Sequence, residues 1–321
     1  MDISAYTAFL TVVEEMNFTR AAKRLYITQQ SLSGQIKRLE GHYHVELFHR
    51  RPHLKLTLEG EAMAFYARQL LETEQAMTSR FADLTGQSAG VLHIGFSHQR
   101  SSAFFPGIWS RYHAEFGNIS IRLHEKLSNQ LLEDLLSGQL DMMVGVDIPS
   151  LSGLTIIPLA QEQLRCIITE SFLRDYFPGQ WQAMLKRFAQ SGVALMELKD
   201  LPMILPSSTN RLRSPIDQLF RKNNAIPQIA LETASHSLLY QLGCHGSGVA
   251  VVNPLSLYEQ ISLRGLPPNY CHSFLIRDLP KRTISLAYRR DMELPLFALR
   301  MIDAIVEEFD YYTKFLERFS L

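Results

Sequence analysis

The sequence predicts an α+β multidomain chain: a small helical N-terminal domain closed by a hairpin, one long linker helix, and a two-lobed α/β C-terminal part. Three observations predict it. Apolar residues recur at helical spacing through most of residues 3–85, broken by a short alternating segment over 47–57. After a Gly- and Ser-bearing hinge at 86–90, short apolar runs alternate with helical patterns in a βαβ rhythm. The chain has 321 residues and is 46% apolar, which allows more than one core. The boundaries expected are 1–57 for the N-terminal domain, 58–87 for the linker and 88–321 for the rest. One lobe is expected at 88–162 with 269–321, the other at 163–268.

In the first helix Ile3, Tyr6, Leu10 and Val13 recur near 3.6 residues, with Phe9 widening the stripe. Asn17 can cap a second helix over 18–26, in which Ala21 and Ala22 are small enough for another helix to approach. The turn Tyr26-Ile27-Thr28 is short, as a helix-turn-helix requires. Thr28 can cap a third helix over 29–40, and Gly41 is placed to end it. On that helix Leu32, Ile36 and Leu39 face the core, while Gln30, Ser33, Gly34 and Lys37 face outward. The segment 47–57 pairs two short apolar-alternating arms around a basic, Pro-containing tip, and reads as a wing.

Formal net charge is zero, yet it is unevenly spread. Residues 16–57 hold eight Lys/Arg against Glu40 and Glu46, a local excess of +6 (eight minus two). Such an island is the electrostatic footprint of a phosphate-contacting domain, although a solvated basic face has the same composition. Gln can pair with adenine edges and Ser with several bases. Cations such as Lys37 and Arg38 suit phosphates, which position without reading sequence.

From 58 to about 85 there is no proline. Ala62, Tyr66, Leu70, Met77, Phe81 and Leu84 recur at helical spacing. A helix of this length spans about 40 Å, and one apolar stripe on it calls for a partner, most simply a second copy. Beyond the hinge, strands are expected at 91–96, 119–124 and 142–146 with helices at 101–116 and 128–137, forming a parallel sheet. Strands at 154–159 and 164–169 lead to a second lobe with strands at 203–205, 228–231 and 249–252. Its helices are expected near 212–223 and 235–244. Strands 273–276 and 283–288 are expected to return to the first lobe, and a helix over 293–321 to close it. The stretch 177–199 contains an amphipathic helix carrying Trp181, Met184, Leu185 and Phe188, either restricting a cleft or forming a contact surface. Two α/β lobes joined by two crossings form a clam-like cleft, with ligands at the C-terminal ends of strands. Hydroxyls fall there at Ser97, Ser101, Ser102, Ser128, Ser207, Ser208 and Thr209, where they can equally serve as N-caps.

The order N-F-T-R-A-A-K-R-L-Y-I-T-Q-Q-S-L-S-G-Q-I-K-R-L-E, then L-F-H-R, then L-T-L-E-G, resembles the winged helix-turn-helix of LysR-type transcriptional regulators over about sixty residues. The resemblance implies a periplasmic-binding-protein type II-like effector domain, and a sequence-specific regulator controlled by a small molecule held between the lobes. It implies Thr28, Gln29, Gln30, Ser33, Lys37, Arg38, Arg50, Arg51 and Lys55 as DNA-binding residues, and Ser97, Ser101, Ser128 and Ser207 as effector-binding ones. It also implies a homodimer or homotetramer on a pseudo-palindromic duplex operator, with RNA polymerase as a candidate partner. Gln30 and Gly34 depart from the family's usual residues, so the preferred operator should differ from the commonest one.

Other classes are weaker. No G-x-S-x-G, P-loop or H-E-x-x-H occurs, so no enzyme is expected and no cofactor. His42, His44, His49 and His53 cluster near the wing without partner ligands at metal spacing. A solute-binding module would have no use for a winged helix; a DNA-binding architectural regulator without effector is the nearer alternative. No signal sequence or membrane span is expected, which places the chain in the cytoplasm. Cys166, Cys244 and Cys271 are odd in number and far apart, so free thiols are expected, with a redox-sensing pair as the alternative.

Overall fold

A computed structural model describes residues 3–50, 53–84, 90–265 and 270–318. It divides into two compact units, 1–95 with 113–143 and 288–300, and 96–112 with 144–287 and 301–321.

In the first unit, α1 (Ile3–Glu15), α2 (Phe18–Arg24) and α3 (Gln29–Tyr43) precede the strands β1 (Phe48–His49) and β2 (Lys55–Leu56). Asn17 caps α2, its side chain accepting from Thr19 and Arg20 N–H. Thr28 caps α3 by accepting from Ser31 N–H at 3.1 Å. Much of the predicted core is present: Tyr6, Phe9, Leu10, Ala21, Leu32, Ile36 and Leu39 are buried together, but Val12 and Leu47 join them while Ile3 is exposed and Val13 is only partly buried. The expected stop at Gly41 is corrected, because α3 continues to Tyr43. His44 takes the left-handed conformation (φ 55°) instead, and the N–H groups of His44 and Val45 both return to the Glu40 carbonyl. β1 and β2 pair antiparallel, Phe48 opposite Leu56 and His49 opposite Lys55. The wing tip residues Arg51 and Pro52 lie outside the described residues.

The linker helix α4 (Leu58–Leu84) is continuous over 27 residues. Its apolar residues separate onto two faces rather than one. Ala64 and Ala67 are buried against the N-terminal core, with Met63 and Leu71 packed beside them. Tyr66, Leu70, Met77 and Phe81 are exposed. The hinge at 86–89 lies outside the described residues, and Gly90 opens the next strand.

The remaining elements, in chain order, are β3 (Gly90–Phe96), α5 (His98–Glu115), β4 (Ile119–Glu125), α6 (Ser128–Leu136), β5 (Met142–Val146), β6 (Leu154–Glu162), β7 (Arg165–Thr169), α7 (Glu170–Tyr176) and α8 (Trp181–Ser191). There follow β8 (Met203–Pro206), α9 (Arg213–Lys222), β9 (Ile229–Thr233), α10 (His236–Cys244), β10 (Val249–Val252), α11 (Pro254–Arg264), β11 (Cys271–Leu275), β12 (Arg282–Arg289) and α12 (Leu296–Arg318). They build two five-stranded sheets, ordered β4-β3-β5-β12-β6 and β11-β7-β10-β8-β9.

Three expectations change. The sheets are mixed rather than parallel: β3–β5, β8–β9 and β8–β10 are parallel, while β7 runs antiparallel to β10 and β11. Second, β11 does not return to the first lobe. It pairs with β7, Cys271 opposite Thr169 through Leu275 opposite Arg165, and buries Phe274 against the core that holds Phe188 and Leu164. The return crossing therefore follows β11. Third, the stretch 177–199 belongs to this core. Phe188 is fully buried, and Phe177, Trp181, Met184 and Leu185 pack against it. Elsewhere in the second unit, Phe104 of α5 stacks among Tyr258, Phe309 and Tyr312. A Cβ at Gly107 would come within 2.5 Å of the Glu308 carboxylate, which explains a glycine inside that helix.

Candidate nucleic-acid interface and ligand site

The core residues of α3 turn its other side outward. Thr28, Gln29, Gln30, Lys37 and Arg38 are exposed, and Ser33 and Gly34 are half-exposed. Lys37, Arg38 and Lys55 form no ion pair among the described residues. Arg50 is committed differently: it pairs with Glu40 at 2.9 Å and lies 5.7 Å above the Phe18 ring. Glu40 also accepts the Leu47 N–H, so one carboxylate fixes both the wing root and Arg50 against α3. Sequence spacing does not reveal this pairing, since Glu40 and Arg50 lie on different elements. Between α3 and the wing runs a groove of about 480 Å³ lined by Lys37, Glu40, Glu46, Phe48, His49 and Arg50.

Gly34 has a normal helical backbone, and a Cβ there would meet only Arg38 Nη1 at 3.9 Å. Gly34→Ala should therefore raise the unfolding free energy of this domain by about 0.5–1 kcal/mol, since alanine loses less backbone entropy. Urea denaturation followed by circular dichroism checks it; no gain would mean that the domain needs that backbone to bend.

The strand-end hydroxyls are spread over both units. Ser128 opens α6 in the first unit, where Leu127 occupies the capping position. In the second unit, Ser97 precedes α5 and its carbonyl accepts from Ser101 N–H. Ser101 is buried and donates its hydroxyl to the His98 carbonyl at 2.8 Å. Ser207 follows β8, with its Oγ 3.3 Å from Thr209 Oγ1.

Around Ser97 and Ser101 lies a polar cluster that sequence spacing does not announce. Arg100 is buried; its Nη2 donates to Glu162 Oε2 at 3.1 Å and its Nη1 to Ser97 Oγ at 3.5 Å. Tyr312 donates to the other Glu162 oxygen at 2.7 Å. Gln99 Nε2 reaches Glu259 and Ser256 of α11, and Asn253, which caps α11, donates to Gln99 Oε1. His236 opens α10, with Nε2 3.4 Å from Asn210 Nδ2. Arg100 Nε and His236 Nδ1 are buried without a hydrogen-bond partner among the described residues. Burial, and then the Arg100 charge, hold the His236 pKa below its ordinary value. Burial raises that of Glu259 against the Gln99 bond. The cluster offers a small polar molecule both donors and acceptors in a dry setting. Its one local signal is an arginine inside the first turn of a helix that starts at a strand end.

The two carboxylates that flank β5, Asp141 and Asp147, are already engaged. Asp141 accepts the His93 N–H at 2.7 Å, and Asp147 pairs with Arg282 and accepts the Thr283 N–H.

His93 and His124 lie 2.9 Å apart between ring nitrogens, and burial lowers the pKa of each. These two rings and His236 therefore take up protons less readily when folded than in the unfolded chain, which binds them near pH 6.5. Stability contributed this way is complete above about pH 6.5 and is lost as pH falls below it. A melting-temperature series from pH 7.5 to 5 should fall, and His236→Asn should flatten the slope; an unchanged slope would mean that His236 titrates freely.

Residues 85–310 match the family model "LysR substrate binding domain", and residues 3–61 match "Bacterial regulatory helix-turn-helix protein, lysR family". The chain is 25% identical over 319 residues to the hydrogen peroxide-inducible genes activator of Pectobacterium carotovorum subsp. carotovorum, covering 99% of this chain and 100% of that protein. It is 27% identical over 261 residues to the uncharacterized HTH-type regulator YybE of Bacillus subtilis, covering 78% and 82%. A full-length OxyR variant from Pseudomonas aeruginosa superposes with a TM-score of 0.64 at 20% identity, over 96% of this chain and 94% of that one. Full-length LysG from Corynebacterium glutamicum with bound effector Arg gives 0.61 at 18% identity, over 97% and 99%. CbnR in complex with its target DNA gives 0.54 at 20%, over 96% and 100%. At these identities the structural likenesses establish the fold.

Proposed function

Because this chain belongs to the LysR family of DNA-binding transcriptional regulators with an effector-binding domain, we propose that it reads duplex DNA with the outward side of α3 and answers a small molecule held at the first turn of α5. The observation that carries the first half is the exposure of Thr28, Gln29, Gln30, Lys37 and Arg38 on a helix whose opposite side is wholly buried. Gln30 and Ser33 contact base edges; Lys37, Arg38 and Lys55 contact phosphates beside the groove. The domain boundaries 1–57, 58–87 and 88–321 follow the same reading. CbnR, crystallised with its target DNA, supports this docking by likeness of fold.

Removing one phosphate-neutralising cation should lower the salt dependence of binding by about 0.9 in log–log slope. Lys37→Ala combined with Lys55→Ala should therefore flatten the slope by about 1.8 for each chain bound to the duplex, read by fluorescence anisotropy between about 50 and 200 mM salt. An unchanged slope would remove these two residues from the interface.

For the effector, the support is the pair of buried atoms without a partner among the described residues, Arg100 Nε and His236 Nδ1, in a cluster that also holds Ser97, Ser101 and Asn210. LysG with bound effector Arg is the relevant structural relative. Ser128 and Ser207 remain candidates on the family resemblance. Thermal-shift screening of the full chain against small carboxylates, amino acids and aromatic acids tests the proposal. A ligand at about 100 times its Kd adds about 2.7 kcal/mol to stability, a shift of several degrees. Silence across the panel would favour a DNA-binding architectural regulator without effector.

A further inference from the structure

Two of the three cysteines touch. Cys244 ends α10 and Cys271 begins β11, 27 positions apart in sequence, and their sulfurs stand 2.7 Å from one another as free thiols. Ordinary packing brings them together. The end of α10 is seated tightly on the sheet: a Cβ at Gly243 would come within 2.8 Å of the Ala250 side chain and 2.9 Å of Ile167. β11 is fixed beside β7 by the Cys271–Thr169 register. A disulfide bond of about 2.05 Å needs the sulfurs to close by only about 0.7 Å from their present 2.7 Å.

The two thiols are not equivalent. Cys244 is partly exposed and Cys271 is buried. The Cys271 S–H donates to Cys244 Sγ, and that bond, more than any other influence, lowers the Cys244 pKa; Tyr240 and His245 add to it against burial. The same contact and burial raise Cys271. Cys166 is fully buried and pushed up to about 12, which leaves it unreactive.

We propose that Cys244 and Cys271 are a redox modification site, oxidised to an intramolecular disulfide by hydroperoxides. The Cys244 thiolate attacks one peroxide oxygen; the O–O bond breaks, Cys244 becomes a sulfenic acid, and hydroxide or alkoxide leaves and takes up a proton. Cys271 sulfur then attacks Cys244 sulfur, forming S–S and releasing water as the Cys271 proton joins the departing hydroxide. Two thiols lose two electrons, and the peroxide is reduced to water and an alcohol, or to two waters. A small dithiol reverses the reaction by exchange. The disulfide clamps the end of α10 to the edge strand β11, and α10 begins at His236.

The full-length protein, reduced and then freed of reductant, is exposed to a few-fold excess of hydrogen peroxide. Free thiols, titrated after denaturation, should fall from the three that the chain contains to one, and intact mass should drop by about 2 Da. Peptide mapping should join Cys244 to Cys271, and Cys166→Ser should leave that cross-link unchanged. Cys271→Ser should accumulate a dimedone-reactive sulfenic acid at Cys244. Cys244→Ser should slow peroxide consumption at least about tenfold. Thermal melting of each variant confirms that it is folded. Retention of all three thiols at peroxide levels that oxidise glutathione, or a Cys271→Ser protein that dimedone does not label, would overturn the proposal. Neither outcome bears on DNA or effector binding.

Discussion

Arg100→Met is expected to lower the unfolding free energy by about 3–5 kcal/mol, the largest effect foreseen for any single substitution. The reason is what it leaves behind. The side chains of Arg100 and Glu162 are 10% and 5% exposed, and they meet at 3.1 Å. Without the guanidinium, the Glu162 carboxylate stays buried with only the Tyr312 hydroxyl to hold it among the described residues. An uncompensated buried charge costs far more than the pair contributes. Adding Glu162→Gln removes that charge, so the double variant should be more stable than Arg100→Met alone. Urea denaturation at pH 7 gives both numbers. A loss below about 1 kcal/mol for Arg100→Met would mean that water reaches the pair, and the dry polar site would lose its basis.

Leu70→Glu with Met77→Glu is expected to break the pairing proposed for α4 with a second copy of the chain, and so to lower the oligomer's mass at micromolar concentration. These side chains are 49% and 53% exposed on α4, near the exposed Tyr66 and Phe81, so about half of each is open to a partner. Pairing two such helices buries four of these residues per dimer. At about 1.5 kcal/mol each, their loss costs about 6 kcal/mol, or about 10⁴ in the dimer dissociation constant. Multi-angle light scattering reads the mass directly. On an operator with two half-sites, affinity should fall with it, because the copies would no longer engage both together. A variant of unchanged mass would place the pairing surface elsewhere on the chain.

Local signals made much of this protein legible. Tyr6, Phe9 and Leu10 mark one buried helix face, and Asn17 and Thr28 cap the next two helices as their side-chain chemistry suggests. What escaped the sequence depended on residues distant along the chain or on backbone geometry. Gly41 is a reasonable stop signal, but the left-handed residue is His44, where the Glu40 carbonyl receives two N–H groups. β11 was expected in the wrong sheet, since a short apolar strand carries no mark of its partner; the register with β7 and the burial of Phe274 decide it. The linker helix reads as carrying one apolar stripe until the N-terminal core claims Ala64 and Ala67 and leaves Tyr66 and Leu70 outside. Arg100 reads as an ordinary helical arginine until Glu162, 62 positions further along the chain, and then Tyr312 close over it. The serines around it were visible because hydroxyls at strand ends are a local pattern.

Whether the outward side of α3 reads bases is tested most directly by an affinity ratio. It is measured between an operator selected from random duplexes and an unrelated duplex, at one salt concentration, for the native protein and for Gln30→Ala. Gln30→Ala is expected to narrow the ratio by about 1–3 kcal/mol, roughly 5- to 150-fold, while binding to the unrelated duplex stays as it was. An undiminished ratio would contradict base reading by this helix.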